Sequence, residues 1–174
     1  GKVMKKLDVN KTVLDYVVDQ LSYSKLIDKI ILATTNEKED DKIVEFAKNR
    51  KLDYFRGSTK DVLDRYYQCM KKFNLQNIVR VTSDCPLIDP KIVDTIIELF
   101  FSGEYDYSTN KLPISSPKCP QGVEVEVFSQ QTLEKTWLNS KLLSEREHVT
   151  PYIYNNPEKF KIISKSEYDN ISDL

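Results

Sequence analysis

Cysteine, glycine and proline are all scarce in this sequence of 174 residues. Its three cysteines form no Cys-x-x-Cys pair, and their odd number argues against a disulfide framework or a zinc knuckle. Free thiols indicate a reducing compartment, so the cytoplasm is the expected location. Long apolar runs are missing as well: none approaches the roughly 20 residues that span a bilayer, and the first residues lack the apolar core of a signal peptide. The sequence therefore predicts a soluble protein without membrane insertion.

An excess of charge of either sign is also absent, since 26 Lys and Arg residues face 27 Asp and Glu residues for a formal net charge of −1. Such a balance gives no sign of nucleic-acid binding or of attraction to an anionic membrane. A partner must then be recognised through a local site. Apolar residues make up 40% of the chain, and a domain of this length buries roughly 70% of its unfolded surface without any covalent staple.

The few prolines cluster at one place, with Pro113, Pro117 and Pro120 inside the irregular segment of residues 111–122. We find no internal repeat and no second composition regime, so the sequence predicts a single domain over residues 1–174 with a projecting loop at 111–122. Prolines and scattered apolar residues in so polar a loop suit an arm that contacts a second copy of the chain. We therefore expect a homodimer.

Helical and strand patterns alternate through the first hundred residues. The apolar spacing predicts helices at 13–21, 43–47, 62–73 and 90–100, and strands at 30–33, 53–56 and 77–82. Capping signals are Ser58-x-x-Asp61, Asp89 before Pro90, Ser129 and Ser144-x-x-Glu147. This order calls for a parallel sheet with helices on both faces, and such sheets bind ligands beyond the carboxyl ends of their strands.

The second part of the chain is less regular and mixes strand directions. Strands are expected at 105–109, 123–127 and 160–163. Residues 123–127 alternate strictly, so their valines face a core while Glu124 and Glu126 share the opposite face. Paired glutamates of this kind are usually the solvated face of a strand.

The chemically suggestive position is the end of the predicted strand 77–82. Asp84 follows that strand in a proline-stiffened turn, where one acid can hold a hard divalent cation such as Mg²⁺. The alternative is that Asp84 only accepts hydrogen bonds from turn amides, and composition does not decide between the two. Asp89 is interpreted as a helix cap.

Three ordered motifs resemble the sugar-acid cytidylyltransferases: RGSTKDVLDRYY at 56–67, RVTSDCPLIDP at 80–90 and SEREHVTPYI at 144–153. The resemblance covers nearly the whole chain and is nearest to the spore-coat polysaccharide biosynthesis branch, of the protein F type. It implies an α/β fold with three α/β/α layers, a mostly parallel but mixed sheet and the nucleotide-diphospho-sugar transferase architecture, which is GT-A-like and Rossmann-like. It also implies CTP, Mg²⁺ and a sugar or sugar-acid acceptor, in the synthesis of surface polysaccharide or glycan.

The chain also departs from that family at both ends. Family members open with a strand and a basic glycine loop ending in a Pro-Gly-Lys-Val type sequence, whereas this chain begins at Gly1-Lys2-Val3. Relatives place a Val-Asp element, with a further metal-binding acid, just beyond the point where this chain stops at Leu174. We therefore expect the chain to be truncated at both ends.

Carried over to this sequence, the resemblance implies Lys2 and Asp84 as catalytic residues, with Lys2 offsetting charge on the leaving pyrophosphate. The nucleotide-binding residues that it implies are Lys2, Arg56, Gly57, Arg65 and Ser83. Each has a plainer alternative: a lysine near a chain end is usually solvated, and Arg56 and Gly57 could form a simple strand-to-helix turn. Arg65 could pair with Asp61 one helical turn away, as an exposed ion pair.

For the acceptor and the metal, the candidates lie on or just after the predicted strand 77–82 and in the second half of the chain. The acceptor residues are Arg80, Asn110, Gly122, Glu124, Arg146 and His148, and the metal ligands are Asp84 and Glu126. Arg80 lies on a strand that should be buried, where an unpaired charge would cost several kcal/mol, so a structural acid is its expected partner. His148 could instead be a packing or capping residue.

Two other classes of function stay open at this point. A GT-A type glycosyltransferase would use a nucleotide-sugar donor, but such enzymes usually carry Asp-x-Asp where this chain has Ser83-Asp84-Cys85. An inactive, truncated interaction module is the non-enzyme alternative. The absence of a Ser-His-Asp or Cys-His set is no objection to nucleotidyl transfer, because positioning and charge neutralisation carry most of that rate.

Overall fold

The computed structural model describes residues 2–114, 119–120 and 122–165. Contacts between residues divide the chain into two compact units. The first unit contains Lys29–Ile78 and Ser129–Phe160, and the second contains Lys2–Asp28, the described residues of 79–128 and residues 161–165. The single domain expected from the sequence stays a prediction. Residues 115–118 and 121 of the expected loop lie outside the described part.

The first unit pairs two parallel strands and covers them with helices. Strand β1 (Ile31–Thr35) runs beside β2 (Asp53–Gly57), with Ile31 opposite Asp53 and Thr35 opposite Gly57. The helices are α2 (Asp41–Asn49), α3 (Val62–Phe73), α5 (Gln130–Asn139), α6 (Leu143–His148) and α7 (Pro151–Tyr154). The alternating order predicted for residues 30–73 is confirmed, because the buried faces of α2 and α3 follow the helical apolar spacing.

A four-stranded sheet has the order β3-β5-β4-β6. Its strands are β3 (Asn77–Arg80), β4 (Tyr107–Thr109), β5 (Glu126–Ser129) and β6 (Ile162–Ser164). Strand β4 is antiparallel to β5 and parallel to β6, so the mixed strand directions predicted for the second part of the chain are confirmed.

The core of the second unit lies between the inner face of α4 (Pro90–Phe101) and the strand segment that leads into β5. Helix α1 (Val13–Ser22) contacts α4. The buried cluster consists of Ile88, Ile92, Val93, Ile96, Ile97, Phe100, Val125 and Val127. The members of this cluster on α4 recur at helical apolar spacing, as predicted for residues 90–100, and the valines of the 123–127 alternation are buried as well.

The expectation that Glu126 lies on a solvated strand face is wrong, because Glu126 is only 2% exposed. The reason is that β5 lies between β3 and β4, and side chains from both sides, Arg80 and Tyr107, contact the Glu126 carboxylate. The two glutamates of the alternation therefore do not share one environment.

Two of the four predicted helix starts are confirmed as written. Asp89 accepts a hydrogen bond from the Lys91 amide at 2.8 Å, and Ser129 accepts one from the Thr132 amide at 3.1 Å. Helix α3 is capped by Asp61, not by Ser58, whose hydroxyl accepts from the Asp61 amide instead.

The predicted Ser144-x-x-Glu147 box at α6 is wrong. The helix begins at Leu143, and Glu145 is the acid whose carboxylate accepts from the Leu142 amide at 3.1 Å. Among the residues described, none of the helices combines the length and the apolar composition that a membrane crossing requires.

We expect Ile96→Ala to lower the free energy of unfolding by about 2–5 kcal/mol, because Ile96 is fully buried at the centre of the α4 cluster and its truncation leaves a cavity. Urea denaturation followed by circular dichroism would measure the loss. Val9→Ala is the control, since Val9 is 83% exposed and its truncation should change stability by less than about 0.5 kcal/mol. Equal stability of the two variants would contradict the assigned core.

Candidate active site

The turn after β3 brings the two predicted catalytic residues into contact. Hydrogen bonds from the Cys85 amide to the Thr82 carbonyl and from the Ile88 amide to the Cys85 carbonyl, both 3.2 Å, shape this turn before α4 begins. Asp84 projects from it, and Lys2 Nζ lies 2.7 Å from Asp84 Oδ2. The 3₁₀ turn Lys2–Met4 carries Lys2. Ser83 is exposed beside Asp84.

The Lys2–Asp84 contact stabilises the charged form of both groups. The hydrogen bond from Lys2 lowers the pKa of Asp84 below its usual range, and the same bond raises the pKa of Lys2. Both side chains reach solvent, with exposures of 72% for Lys2 and 42% for Asp84. An exposed pair of this kind contributes little to stability, so either partner can be drawn away by a ligand of the right charge.

Asp84 fits a hard divalent cation that brings its other ligands with it. Mg²⁺ prefers oxygen ligands and keeps several waters beside one or two carboxylates, and Asp84 offers one accessible, ionised carboxylate. Within residues 2–114, 119–120 and 122–165, no group of three or more His, Cys, Asp or Glu side chains converges to cage a metal. An ion at Asp84 would therefore need oxygen atoms from water or from a bound molecule.

Glu126 is the centre of a buried ionic cluster in the second unit. Its carboxylate contacts the Arg80 guanidinium, lies 2.5 Å from Lys111 Nζ and accepts a hydrogen bond from Tyr107 Oη at 2.6 Å. The expectation that Arg80 pairs with a structural acid is confirmed. A buried carboxylate engaged by two cations is poorly placed to ligate a metal, so the assignment of Glu126 as a metal ligand is not carried further.

Asn110 follows β4, and its side chain hydrogen-bonds the backbone of the segment that leads into β5. Its amide nitrogen donates to the Val123 carbonyl and its amide oxygen accepts from the Val125 amide, both at 2.9 Å. Gly122 begins the segment so held, with a φ of +93° that favours glycine, and its amide donates to Glu124 Oε2 at 2.7 Å. Asn110 therefore fixes the backbone beside Glu124, and its assignment to the acceptor stays a prediction.

Arg56, predicted to bind nucleotide, holds the loop that follows β1. Its guanidinium donates to the Thr35 carbonyl at 2.9 Å, to the Glu37 carbonyl at 2.8 Å and to Asp41 Oδ1 at 2.6 Å. Gly57 is required by packing, because a Cβ atom there would lie 2.8 Å from a ring carbon of Phe55. These contacts give both residues a structural role within the first unit.

Arg146 joins two of the motifs that sequence analysis treated separately. Its Nε and Nη2 atoms donate to Asp61 Oδ2 at 2.9 and 2.6 Å, and its Nη1 atom donates to the Trp137 carbonyl at 2.8 Å. Arg65 donates to the Ser58 carbonyl at 2.7 Å. Asp61, the acid expected to pair with Arg65, therefore forms its ion pair with Arg146. His148 is the last residue of α6 and is exposed.

Sequence analysis missed four residues that the structure places at these contacts: Tyr107 and Lys111 on Glu126, and Thr82 and Cys85 beside Asp84. The sequence held one signal for Tyr107 and Lys111. A buried acid that pairs with Arg80 needs further polar partners, so other polar residues were to be expected around that acid. The cysteines are buried, and burial raises the pKa of Cys85 and of Cys119, and that of Cys69 to about 11.

Comparison with known proteins agrees with the motifs. The family model described as cytidylyltransferase matches residues 1–172. The chain is 42% identical over 162 residues to the protein MJ1063 of Methanocaldococcus jannaschii, covering 93% of this chain and 64% of that protein. It is 29% identical to the spore coat polysaccharide biosynthesis protein SpsF of Bacillus subtilis, covering 93% of this chain and 67% of that protein.

A solved cytidylyltransferase from Leptospira borgpetersenii superimposes with a TM-score of 0.90 at 36% identity, covering 98% of this chain and 71% of that one. The chain thus spans about two thirds of the length of the curated relatives it matches. The α/β fold with a mixed sheet is that of the nucleotide-diphospho-sugar transferases, as the resemblance implied.

We expect Asp61→Asn to lower the free energy of unfolding by about 1–2 kcal/mol, because a charge-assisted hydrogen-bond pair to Arg146 is lost. The amide keeps one carbonyl oxygen for the α3 cap, so the loss reports on the ion pair. A double-mutant cycle with Arg146→Lys, measured by urea denaturation, should show coupling of at least about 0.5 kcal/mol.

Glu104→Gln is the control for this cycle, since the Glu104–Lys161 pair is highly exposed and should contribute less than about 0.5 kcal/mol. If the losses of unfolding free energy of the Asp61 and Arg146 variants simply add in the double variant, the two side chains are not coupled and the prediction is contradicted.

Proposed function

Because this chain belongs to the cytidylyltransferase family, we propose that the protein transfers a cytidylyl group from CTP to a sugar or sugar acid and releases pyrophosphate. The observation that carries the proposal is the contact between Lys2 and Asp84 in the turn after β3. This contact presents an exposed cation and an exposed carboxylate side by side, which suits a triphosphate accompanied by a divalent cation. The name of the relative SpsF supports a role in the synthesis of surface polysaccharide.

In the proposed reaction, a hydroxyl oxygen of the acceptor forms a bond to the α-phosphorus of CTP. The bond from that phosphorus to the pyrophosphate oxygen breaks in line, and the hydroxyl proton leaves to solvent. Lys2 would exchange its contact with Asp84 for the phosphates and offset the charge that develops on pyrophosphate. No covalent intermediate with the protein is required.

Asp84 is the residue that would hold Mg²⁺ in this proposal. Bound Mg²⁺ supplies charge neutralisation at the phosphate oxygens. The fit rests on the accessibility of the Asp84 carboxylate and on the preference of Mg²⁺ for oxygen ligands. Buried and engaged by Arg80 and Lys111, Glu126 takes no part as a ligand.

The acceptor and the cellular context are finer parts of the proposal. Glu124 lies on the segment next to the Asp84 turn, with its carboxylate 4.0 Å from Cys85 Sγ, and we assign it to the acceptor side. Ser83, exposed beside Asp84, is assigned to the nucleotide. Three free, buried cysteines support a reducing compartment, so we place the reaction in the cytoplasm.

A glycosyltransferase is the competing enzyme class, and the family match disfavours it. The two classes differ in their products, since a nucleotidyltransferase consumes a triphosphate and forms pyrophosphate, whereas a glycosyltransferase consumes a nucleotide-sugar and releases a nucleotide. A pyrophosphate assay with CTP and a panel of sugar acids separates them.

We expect the intact protein to form pyrophosphate in that assay and Lys2→Ala to lower kcat by about 100-fold with a smaller effect on the KM for CTP. The reason is that the charge of Lys2 acts mainly on the leaving group. Lys11→Ala is the matched control, because Lys11 is also near the chain start and pairs with an acid, Asp19, at 2.8 Å. Turnover of nucleotide-sugars without pyrophosphate from any triphosphate would overturn the proposed function.

A homodimer that uses residues 111–122 is the remaining proposal. In the described part of this loop, Ile114 is 47% exposed, whereas Lys111 and Cys119 are largely buried. We expect Ile114→Asp to shift the protein towards monomer in light scattering, because a charge would be placed in an apolar contact. Val9→Asp, at an exposed position elsewhere, is the control. An unchanged particle mass for Ile114→Asp would contradict this use of the loop.

A further inference from the structure

Glu124 is a half-buried residue whose carboxylate is held at one of its two oxygens. Its Oε2 atom accepts a hydrogen bond from the Gly122 amide at 2.7 Å, and Gly122 has a φ of +93°. A positive φ of this size suits glycine, because other residues adopt it only with strain. The Glu124 side chain is therefore bonded to the backbone two residues before it.

The backbone on either side of Glu124 is fixed as well. Val123 and Val125 are buried, with exposures of 6% and 0%. Asn110 binds both of them, since its side chain donates to the Val123 carbonyl and accepts from the Val125 amide, each at 2.9 Å. Glu124 lies between these two anchored residues and keeps part of its side chain accessible. Little conformational entropy is then left for this carboxylate to lose when a substrate binds.

The carboxylate of Glu124 differs from that of Glu126 in the charges around it. Glu126 is engaged by Arg80 and Lys111. Within residues 2–114, 119–120 and 122–165, no lysine, arginine or histidine forms an ion pair with Glu124, and no donor hydrogen-bonds its Oε1 atom. A nearby cation stabilises the ionised form of a carboxylate and makes it a weaker proton acceptor. Glu124 therefore retains an oxygen that can accept a proton.

Glu124 lies beside the turn that carries Asp84. Its Oε2 atom is 4.0 Å from the sulfur of Cys85, the residue that follows Asp84, and all three residues belong to the second unit. In nucleotidyl transfer, the divalent cation and the attacking oxygen meet the same phosphoryl group. A carboxylate next to the candidate cation ligand is therefore close to the place that the acceptor hydroxyl must reach, as a general base has to be.

We propose that Glu124 is the general base of the transfer. Its Oε1 atom accepts the proton of the acceptor hydroxyl while the hydroxyl oxygen forms its bond to the α-phosphorus of CTP. The bond from phosphorus to the pyrophosphate oxygen breaks, its electron pair leaves with pyrophosphate, and Glu124 then passes the proton to water. The inference rests on the proposed function and deepens it, because it gives the proton a route through the protein. Asn110 and Gly122 are the positioning residues of this base.

The test measures pyrophosphate release by the intact protein with CTP, Mg²⁺ and the panel of sugar acids. Glu124→Gln keeps the size of the side chain and an oxygen for the Gly122 amide, but it removes the basic oxygen. Glu124→Ala opens a space that a free formate ion can enter. Glu98→Gln is the matched control, because Glu98 is exposed on α4 in the same unit. Thermal unfolding shows whether each variant folds.

We expect Glu124→Gln to lower kcat by about 100-fold, with KM values for CTP and for the acceptor within about threefold of the parent, because a general base acts on the chemical step. Glu124→Ala should lose a similar factor, and formate should restore its kcat by about 10-fold. Formate should not help Glu124→Gln, whose amide fills the space. Glu98→Gln should match the parent with or without formate.

Two results would overturn the inference and leave the proposed function intact. If Glu124→Gln keeps the kcat of the parent and raises only the KM for the acceptor, Glu124 binds the acceptor and is not the base. If formate does not restore the kcat of Glu124→Ala, the lost group is structural, since a free ion can replace only a proton acceptor. Should Glu124→Ala not fold, a kcat of Glu124→Gln within about twofold of the parent would overturn the inference. If the parent forms no pyrophosphate with any acceptor, the proposed function fails together with it.

Discussion

The burial of one carboxylate constrains the whole second unit. Glu126 lies on the strand between β3 and β4, out of contact with water, and an ionised carboxylate in that place would cost several kcal/mol without partners. Arg80 from β3 and Lys111 and Tyr107 from the β4 side provide them. The ends of three strands are thereby held at one point. Asp84 is four residues beyond Arg80, and the segment of Glu124 leads directly into Glu126.

The remaining polar side chains near that point mostly bind backbone. Asn110 extends β4 with two hydrogen bonds to residues 123 and 125, and Thr109 donates to the Val125 carbonyl at 2.7 Å. These bonds satisfy a stretch of chain that no ladder pairs. In contrast, the pair of Lys2 and Asp84 is exposed, and its own interaction is weak. In the proposed reaction, Lys2 would leave Asp84 for a ligand without breaking any of these bonds.

Sequence patterns predicted what depends on near neighbours in the chain. Helix α4 and its cap at Asp89 were correct, because a 3.6-residue apolar period and a capping oxygen act within a few residues. The start of α6 differs from the prediction because Glu145, not Glu147, is the acid that accepts from backbone amides ahead of the helix, those of Lys141 and Leu142. Contacts between distant residues could be predicted only in kind. The burial of Arg80 required an acid, but nothing local identified one 46 residues away, and Arg146 with Asp61 spans 85 residues.

The three buried thiols have a practical consequence. Cys69 belongs to the first unit, and Cys85 and Cys119 belong to the second. A thiol reagent can modify each of them only after the surrounding segment opens, because burial hides the sulfur and keeps it protonated. The rate of labelling at each cysteine, followed by mass spectrometry, therefore measures how often that part of the native chain opens. The protein carries natural reporters of local unfolding in both units.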